Sequence, residues 1–292
     1  MEKFLYFLEK VAEFWKRVPK VPLLILILLF TTGIFADLLT FGHDPEVGDP
    51  RLRLLPPFWY DGGTTKYPLG TDTMGRDILT RLIYGSRVSL LVAFAAVIVA
   101  SLIGTILGIL AGYYGGWVDQ VVMRFTDAWL SIPTVMFGIL LAVIVGPGVS
   151  NIIIIMGLVY WTRYARVTRG ETLSLKTREF VQLAIVDGCS KFRIMRKHIL
   201  PNVINNVITL ASMQIGIVVV VEASLTFLGV GVPPPKPAWG LMLSEGRGGL
   251  LAGYWWLIVF PGVAIALLVM SFNLIGDWLR LYLDPHYRHI EA

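Results

Sequence analysis

The sequence predicts an all-α, polytopic membrane protein with six membrane-spanning helices. Of its 292 residues, 55% are hydrophobic and 15% are charged, whereas soluble domains carry about a quarter charged residues. The apolar residues form runs of the length that crosses a bilayer, about 20 residues. One strongly basic block, residues 163–201, separates the fourth run from the fifth. These observations predict that most of the chain lies in a membrane and that one charged segment lies beside the membrane.

The sequence of the N-terminal region predicts a helix that lies on the membrane surface and, after it, the first membrane-spanning helix. Residues 1–20 mix both charge signs with aromatic side chains, as in an amphipathic interfacial helix. Residues 21–39 are apolar and long enough to cross. A cleaved signal peptide is the alternative, which the acidic residues near the N-terminus and the lack of a small-x-small cleavage site disfavour. Residues 40–73 contain five prolines and predict a loop outside the bilayer.

The second span is predicted over residues 88–112, after a short amphipathic segment, 72–87, at the interface. Small residues recur at every fourth position of this span: Ala96, Ala100, Gly104, Gly108 and Gly112. This spacing puts a strip of small side chains on one helix face, where a neighbouring backbone can approach closely. We assign Gly104, Gly108 and Gly112 to helix packing and give them no ligand.

The third span is predicted over residues 121–145, after a glycine-rich turn at 113–120. Pro133 should kink this helix, and Arg124 and Asp127 are spaced to pair. The fourth span begins at residue 151 and continues into the basic block.

The fifth and sixth spans are predicted over residues 202–228 and 252–278. A loop rich in glycine and proline, 229–249, joins them, and tryptophans flank the sixth span as in an aromatic belt. Basic residues concentrate in residues 1–20 and in the basic block. With six spans, the excess of positive charge on cytoplasmic segments places both termini in the cytoplasm.

Several kinds of chemistry find no support in the sequence. No G-x-x-x-x-G-K-[ST] phosphate loop and no G-x-S-x-G nucleophile motif occurs. One cysteine and four scattered histidines predict neither a disulfide nor a metal site. Basic residues are not interleaved with aromatics as in a binder of single-stranded nucleic acid. The chain is therefore not expected to be an enzyme or to bind nucleic acid.

Glu222 and Gln214 are the polar residues predicted to lie deep in a span. A carboxylate within a membrane is a candidate functional group, so both are candidate pathway residues. The alternative, which we favour for Glu222, is a structural hydrogen bond to Gln214 or to a backbone group.

The second half of the basic block, residues 179–201, predicts a helix, a break at Gly188 and a second helix. Apolar residues recur between the charged ones and give the segment one apolar and one charged face. Such a face can dock in a groove of a soluble partner. The alternative is a positively charged loop that only sets the topology.

At these residues the chain resembles the membrane subunits of ABC importers, whose coupling loop has the pattern E-A-A-x3-G-x9-I-x-L-P. The matching positions are Gln182-Leu183-Ala184, Gly188 and Leu200-Pro201, with Gln182 in place of Glu, Leu183 in place of the first Ala and His198 at the Ile position. Further stretches resemble the C-type subunit of the oligopeptide/dipeptide/nickel permease family: residues 70–77 (GTDTMGRD), 112–116 (GYYGG), 196–202 (RKHILPN), 222–229 (EASLTFLG), 272–277 (FNLIGD) and 283–285 (LDP).

The resemblance implies a type I ABC importer permease fold, with an N-terminal segment at 1–72, a permease domain at 73–284 and a tail at 285–292. It implies half of a translocation pathway for di- or oligopeptides or related solutes. The implied partners are a second permease subunit, two cytosolic ATPases that bind ATP and magnesium, and an extracytoplasmic binding protein. A coupling helix at about 180–193 would contact the ATPases. The implied coupling residues are Gln182, Ala184, Asp187, Gly188, Lys191, Arg193, Leu200 and Pro201.

Two other functions stay open on the residues alone. The first is a stand-alone carrier that uses Glu222 to couple transport to a proton gradient. The second is a membrane scaffold without transport. Uptake that needs ATP and ignores the proton gradient would exclude the carrier, and any flux that depends on the chain would exclude the scaffold.

Overall fold

The computed structural model describes residues 17–40 and 43–283. Within these residues the chain is helical, with one isolated β-bridge between Thr71 and Asp77 and no β-strand. The all-α prediction is confirmed. The predicted interfacial helix at 1–20 lies almost wholly outside the described residues, as does the tail at 285–292.

The helices follow one another through short connections, apart from the loops at 43–77 and 228–238. In chain order they are α1 (Lys20–Ile34), α2 (Ala36–Leu39), α3 (Ile78–Tyr114), α4 (Gly116–Leu130), α5 (Thr134–Val145), α6 (Val149–Lys176), α7 (Glu179–Val186), α8 (Lys191–Ile194), α9 (Leu200–Phe227), α10 (Trp239–Leu250) and α11 (Trp256–Leu283). One turn of π-helix, Met195–Ile199, joins α8 to α9.

Three helical segments of the described chain are long and apolar enough to cross a membrane: α3, the continuous stretch Lys191–Phe227, and α11. Helices α4 and α5 give a fourth when taken as one broken span. Helix α1 has 15 residues, fewer than a full crossing needs, and the second half of α6 is rich in charge. A multi-pass membrane protein is confirmed, and the total of six spans stays a prediction.

Helix α3 is longer than the predicted second span. It has 37 residues and is about 55 Å long at 1.5 Å per residue. Its start is fixed by Asp77, whose carboxylate accepts hydrogen bonds from the backbone amides of Leu79 and Thr80. The segment predicted at 72–87 is continuous with this helix from Ile78 onward, and its place at the membrane interface stays a prediction.

Pro133 breaks the third span instead of kinking it. Helix α4 ends at Leu130, α5 begins at Thr134, and their axes differ by 96°. Proline has no backbone N–H and forces the residue before it out of the helical region, so the chain turns here. The turn predicted at 113–120 is also shorter, because α3 ends at Tyr114 and α4 begins at Gly116.

The segment 229–249, predicted as a loop, contains the helix α10. This helix packs among α3, α9 and α11. Two of its glycines permit that approach, since a Cβ on Gly240 would lie 2.5 Å from the carbonyl oxygen of Ala223, and one on Gly246 would lie 2.8 Å from Cβ of Leu257. The glycines that suggested a loop are thus close-packing positions, and the last span begins at Trp256.

Helices α3 and α6 pack face to face and run in the same direction. A Cβ on Gly104 would lie 2.5 Å from Cβ of Tyr164, and one on Gly112 would lie 2.7 Å from Cβ of Thr172. Between them, Gly108 faces Ala165 and Thr168. Along this contact a residue of α3 therefore lies level with the residue about 60 positions later in α6. We call the C-terminal ends of these two helices, with α7, the coupling end. We call their N-terminal ends, together with the 43–77 loop and α10, the loop end.

Candidate functional site

The segment 177–199, which we call the coupling segment, is fixed to the ends of α3 and α6. The ammonium of Lys176 donates a hydrogen bond of 2.7 Å to the carbonyl oxygen of Tyr113 and lies over the ring of the same residue. The side-chain amide of Gln182 donates to the carbonyl oxygen of Lys176 at 2.7 Å. Gln182 thus satisfies a backbone acceptor left open where α6 ends.

Gly188 makes the turn between α7 and α8, as the helix–glycine–helix pattern predicts. Its φ is +74°, a conformation in which glycine is favoured. The amides of Gly188 and Cys189 donate to the carbonyl oxygens of Ile185 and Ala184, each at 3.0 Å, and so close the end of α7. Ser190 then accepts a hydrogen bond from the amide of Arg193 at the start of α8.

We expect Gly188→Ala to loosen the coupling segment without changing the rest of the fold. An added Cβ meets no atom within 4 Å, so the cost is the backbone strain of alanine at positive φ, about 1–2 kcal/mol. Hydrogen exchange at the amides of α7 should quicken about tenfold. Gly253→Ala is the control, because Gly253 has φ +89° and open space at the loop end. If the amides of α7 exchanged at the wild-type rate in Gly188→Ala, Gly188 would not be the residue that fixes this turn.

The coupling segment has one face packed on the protein and one face exposed. Val181, Ala184 and Ile194 are buried. The exposed face carries large apolar side chains, including Leu183 and Val186, which are 63% and 82% exposed. We define the coupling surface as Phe180, Leu183, Val186, Phe192, Asp187, Lys191 and Arg193. Contiguous exposed apolar side chains next to charged ones are typical of a surface that binds a partner.

The remaining residues predicted to take part in coupling lie in different positions. Ala184 is buried beneath α7, and Leu200 and Pro201 form the first turn of α9. The ammonium of Lys191 lies 5.4 Å from the ring centre of Tyr114, so this residue also ties α8 to the end of α3. Three of the eight predicted coupling residues, Asp187, Lys191 and Arg193, therefore lie on the coupling surface. The other five cap α6, make the turn, pack beneath α7 or begin α9.

The first part of the basic block belongs to α6 and is not a free loop. Two of its arginines tie α6 to α4: Arg169 binds both carboxylate oxygens of Asp119, and Arg166 lies 2.6 Å from Asp127. The predicted pair between Arg124 and Asp127 is wrong, because the carboxylate of Asp127 is taken by Arg166. Ion pairs thus hold the amphipathic helix α4 beside α6.

The candidate pathway residues Glu222 and Gln214 do not meet. Glu222 is 1% exposed and accepts a hydrogen bond of 2.8 Å from the hydroxyl of Thr226, which itself accepts from the amide of Val232. Gln214 lies two turns earlier in α9, and its carbonyl oxygen accepts from Arg163 at 3.4 Å. Eight residues of helix separate the two by about 12 Å. Glu222 therefore stabilises the turn after α9, and the bond to Gln214 is not formed.

A buried ionic cluster at the loop end was missed by the reading of the sequence. Asp72 lies 2.7 Å from Arg76 and 2.6 Å from Arg81, while Glu245 of α10 lies 2.9 Å and 2.8 Å from the same two arginines. Both arginine side chains are at most 2% exposed. The motif at 70–77 contains Asp72 and Arg76, but nothing local connects it to Glu245.

Together these features define an integral membrane protein with an exposed apolar surface at one end and an ordered loop structure, tied by buried ion pairs, at the other. A family model described as "Binding-protein-dependent transport system inner membrane component" matches residues 104–289. The chain belongs to this family, whose members are membrane permeases of ABC transporters and not enzymes.

Curated relatives match nearly the whole chain. The chain is 38% identical over 278 residues to a dipeptide transport system permease protein DppC of Haemophilus influenzae, covering 94% of each. It is 39% identical to a DppC of Alkalihalophilus pseudofirmus, covering 94% of this chain and 89% of the relative. It is 36% identical to a glutathione transport system permease protein GsiD of Pectobacterium atrosepticum, covering 94% and 90%. The resemblance to a C-type permease subunit is confirmed.

Proposed function

We propose that this chain is one of two permease subunits of an ABC importer for di- or oligopeptides or related solutes. The relatives named above support the substrate class, since they are named for dipeptide and glutathione transport. Peptides and glutathione share amide bonds and free carboxylates. The pathway would be formed with a second permease subunit, and an extracytoplasmic binding protein would deliver the solute.

The observation that carries the coupling role is the exposed apolar face of α7 at the end of a membrane domain. Leu183 and Val186 point away from the protein while Val181 and Ala184 anchor the same helix. Such a face binds a groove of a soluble partner. We assign that groove to two cytosolic ATPase subunits, which hold the ATP and magnesium for which this chain has no phosphate loop.

The proposed orientation puts the coupling end and both termini in the cytoplasm. The coupling segment carries Arg178, Lys191, Arg193, Arg196 and Lys197 against Glu179 and Asp187. A net positive charge on a short connection between two spans is typical of the cytoplasmic side. The loop end would then face the binding protein.

The coupling role is tested by Leu183→Asp. In the complex, a carboxylate in the centre of the apolar face would lose its hydration. ATPase binding should therefore weaken about tenfold or more. Uptake of peptide should fall in parallel, while the amount of inserted, folded permease stays unchanged. Co-purification of the ATPase subunits and ATP-dependent uptake in proteoliposomes are the measurements.

Val47→Asp provides the matched control. Val47 is also an exposed aliphatic residue, but it lies in the 43–77 loop at the opposite end. This variant should keep its ATPase subunits. If Leu183→Asp binds the ATPases as wild type does, the coupling surface lies elsewhere. Uptake driven by a pH gradient without ATP would instead favour the carrier that uses Glu222.

A further inference from the structure

Arg163 lies at the middle of α6, 14 residues after Val149 and 13 before Lys176. Gly104 of α3 is at the same level, since it packs against Trp161 and Tyr164. Around Gly104, residues 88–110 of α3 contain no charged residue. Arg163 is therefore level with the apolar core of a membrane-spanning helix, and its cation is at hydrocarbon depth.

The side chain of Arg163 is exposed on the surface of the chain at this depth. One guanidinium nitrogen, Nη1, donates a long hydrogen bond of 3.4 Å to Gln214, and the group lies 5.6 Å from the ring centre of Tyr160. Ion pairs occupy Arg166 and Arg169 of the same helix. No ion pair within residues 17–40 and 43–283 includes Arg163. It is thus a cation at membrane depth without an anionic partner among the residues that the structure describes.

A charged side chain at the centre of a bilayer costs about 2.5–3.5 kcal/mol even on the most lenient scale. Such residues therefore face a water-filled cavity or another protein group and not lipid. The surface beside Arg163 agrees with this, because Arg166 and Asp127 form an exposed ion pair one turn further along. Arg163, Arg166 and Asp127 thus place exposed charged groups on neighbouring turns of α6 and α4.

We propose that Arg163 lines the solute pathway and binds a carboxylate of the passing solute. The inference rests on the proposed function and deepens it, since a peptide with a free C-terminus carries such a carboxylate. A guanidinium has five N–H donors in a planar fork that matches a carboxylate. Gln214 engages only one nitrogen of that fork, so the others are left for the solute.

The test compares Arg163→Lys, Arg163→Gln and Arg163→Glu in the complete complex, reconstituted in proteoliposomes with ATPases and binding protein. ATP-dependent uptake of a labelled dipeptide should fall about tenfold or more in Arg163→Gln, the loss of a charged hydrogen bond. Arg163→Lys should retain a large part of the uptake. Arg163→Glu, similar in size to Gln but anionic, should fall below Arg163→Gln. ATP hydrolysis stimulated by the loaded binding protein should stay at the wild-type rate in all three.

Each other outcome has a definite meaning. If uptake and stimulated ATP hydrolysis fall together, Arg163 pairs with the second permease subunit and the proposal is overturned. Equal uptake by Arg163→Gln and Arg163→Glu, or uptake at the wild-type rate, also overturns it. Arg280→Gln, which removes an exposed arginine from the last turn of α11, is the control and should change neither readout. A wild-type complex that takes up no peptide would overturn the proposed function itself.

Chemical accessibility gives a check that does not depend on transport rates. Cys189 is the single cysteine of the chain, so Cys189→Ser provides a background for Arg163→Cys. A membrane-impermeant thiol reagent should modify Cys introduced at 163, and loaded binding protein with ATP should slow the reaction. A thiol at this position that does not react faces lipid or a protein interface, and the proposal would be wrong.

Discussion

Replacing Glu245 by alanine is expected to destabilise the protein by about 3–5 kcal/mol, the cost of leaving a buried charge without its partner. Two arginines and two carboxylates balance one another in the loop-end cluster. Without Glu245, Asp72 alone faces both guanidinium groups. Because the cluster joins α10 to the start of α3, its loss should also release α10. The measurement is the midpoint of thermal unfolding in detergent, followed by tryptophan fluorescence.

Two comparisons make this result specific. Arg247→Ala removes an exposed charge from the same helix and should leave the midpoint unchanged. Adding Arg81→Met to Glu245→Ala removes the excess charge, so the double variant should lose less stability than the sum of the two single variants. Additive losses, or a Glu245→Ala protein as stable as Arg247→Ala, would show that the cluster does not act as a unit.

The second large effect is expected from Gly108→Ala. The added methyl carbon would lie 2.5 Å from the carbonyl oxygen of Ala165 and would overlap the hydroxyl of Thr168. A backbone oxygen cannot rotate away, so α3 and α6 must separate along their contact. Overpacking of this kind costs about 1–3 kcal/mol. The free energy of unfolding in mild denaturing detergent should fall by this amount.

Gly170→Ala is the matched control for Gly108→Ala. Gly170 lies in α6 itself, but a Cβ there would meet no atom within 4 Å. Alanine is a better helix former than glycine by about 1 kcal/mol. This variant should therefore be as stable as wild type or slightly more stable. If the two variants behaved alike, close approach at Gly108 would not determine the packing of α3 on α6.

Local pattern was enough to predict the features that depend on neighbouring residues. The apolar runs predicted the spanning segments because composition decides burial in lipid. Gly188 predicted the turn in the coupling segment because a glycine between two short amphipathic stretches has few other uses. Spacing was not enough for the faces of α7: it predicts a single apolar face, whereas the structure buries Val181 and Ala184 and exposes Leu183 and Val186.

Features that depend on distant residues could not be predicted from one sequence. Glu245 meets Arg76 across 169 positions, and no local signal joins them. The glycines of α10 have the same composition as a loop, and only contact with Ala223 and Leu257 shows that they are packing positions. The sequence assigns Arg163 to the basic block, because its charge does not reveal its depth in the membrane. That depth follows from Gly104 of the facing helix α3, which lies at the same level.

The parallel contact between α3 and α6 has a mechanical consequence. Gly104, Gly108 and Gly112 leave no gap along which the two helices could slide, and interiors packed at this density transmit displacement instead of absorbing it. Lys176 and Gln182 fasten α7 to the end of this pair. We therefore expect the two helices to move as one stiff unit, so that a sideways displacement of α7 would reach the far end, with its cluster of paired arginines.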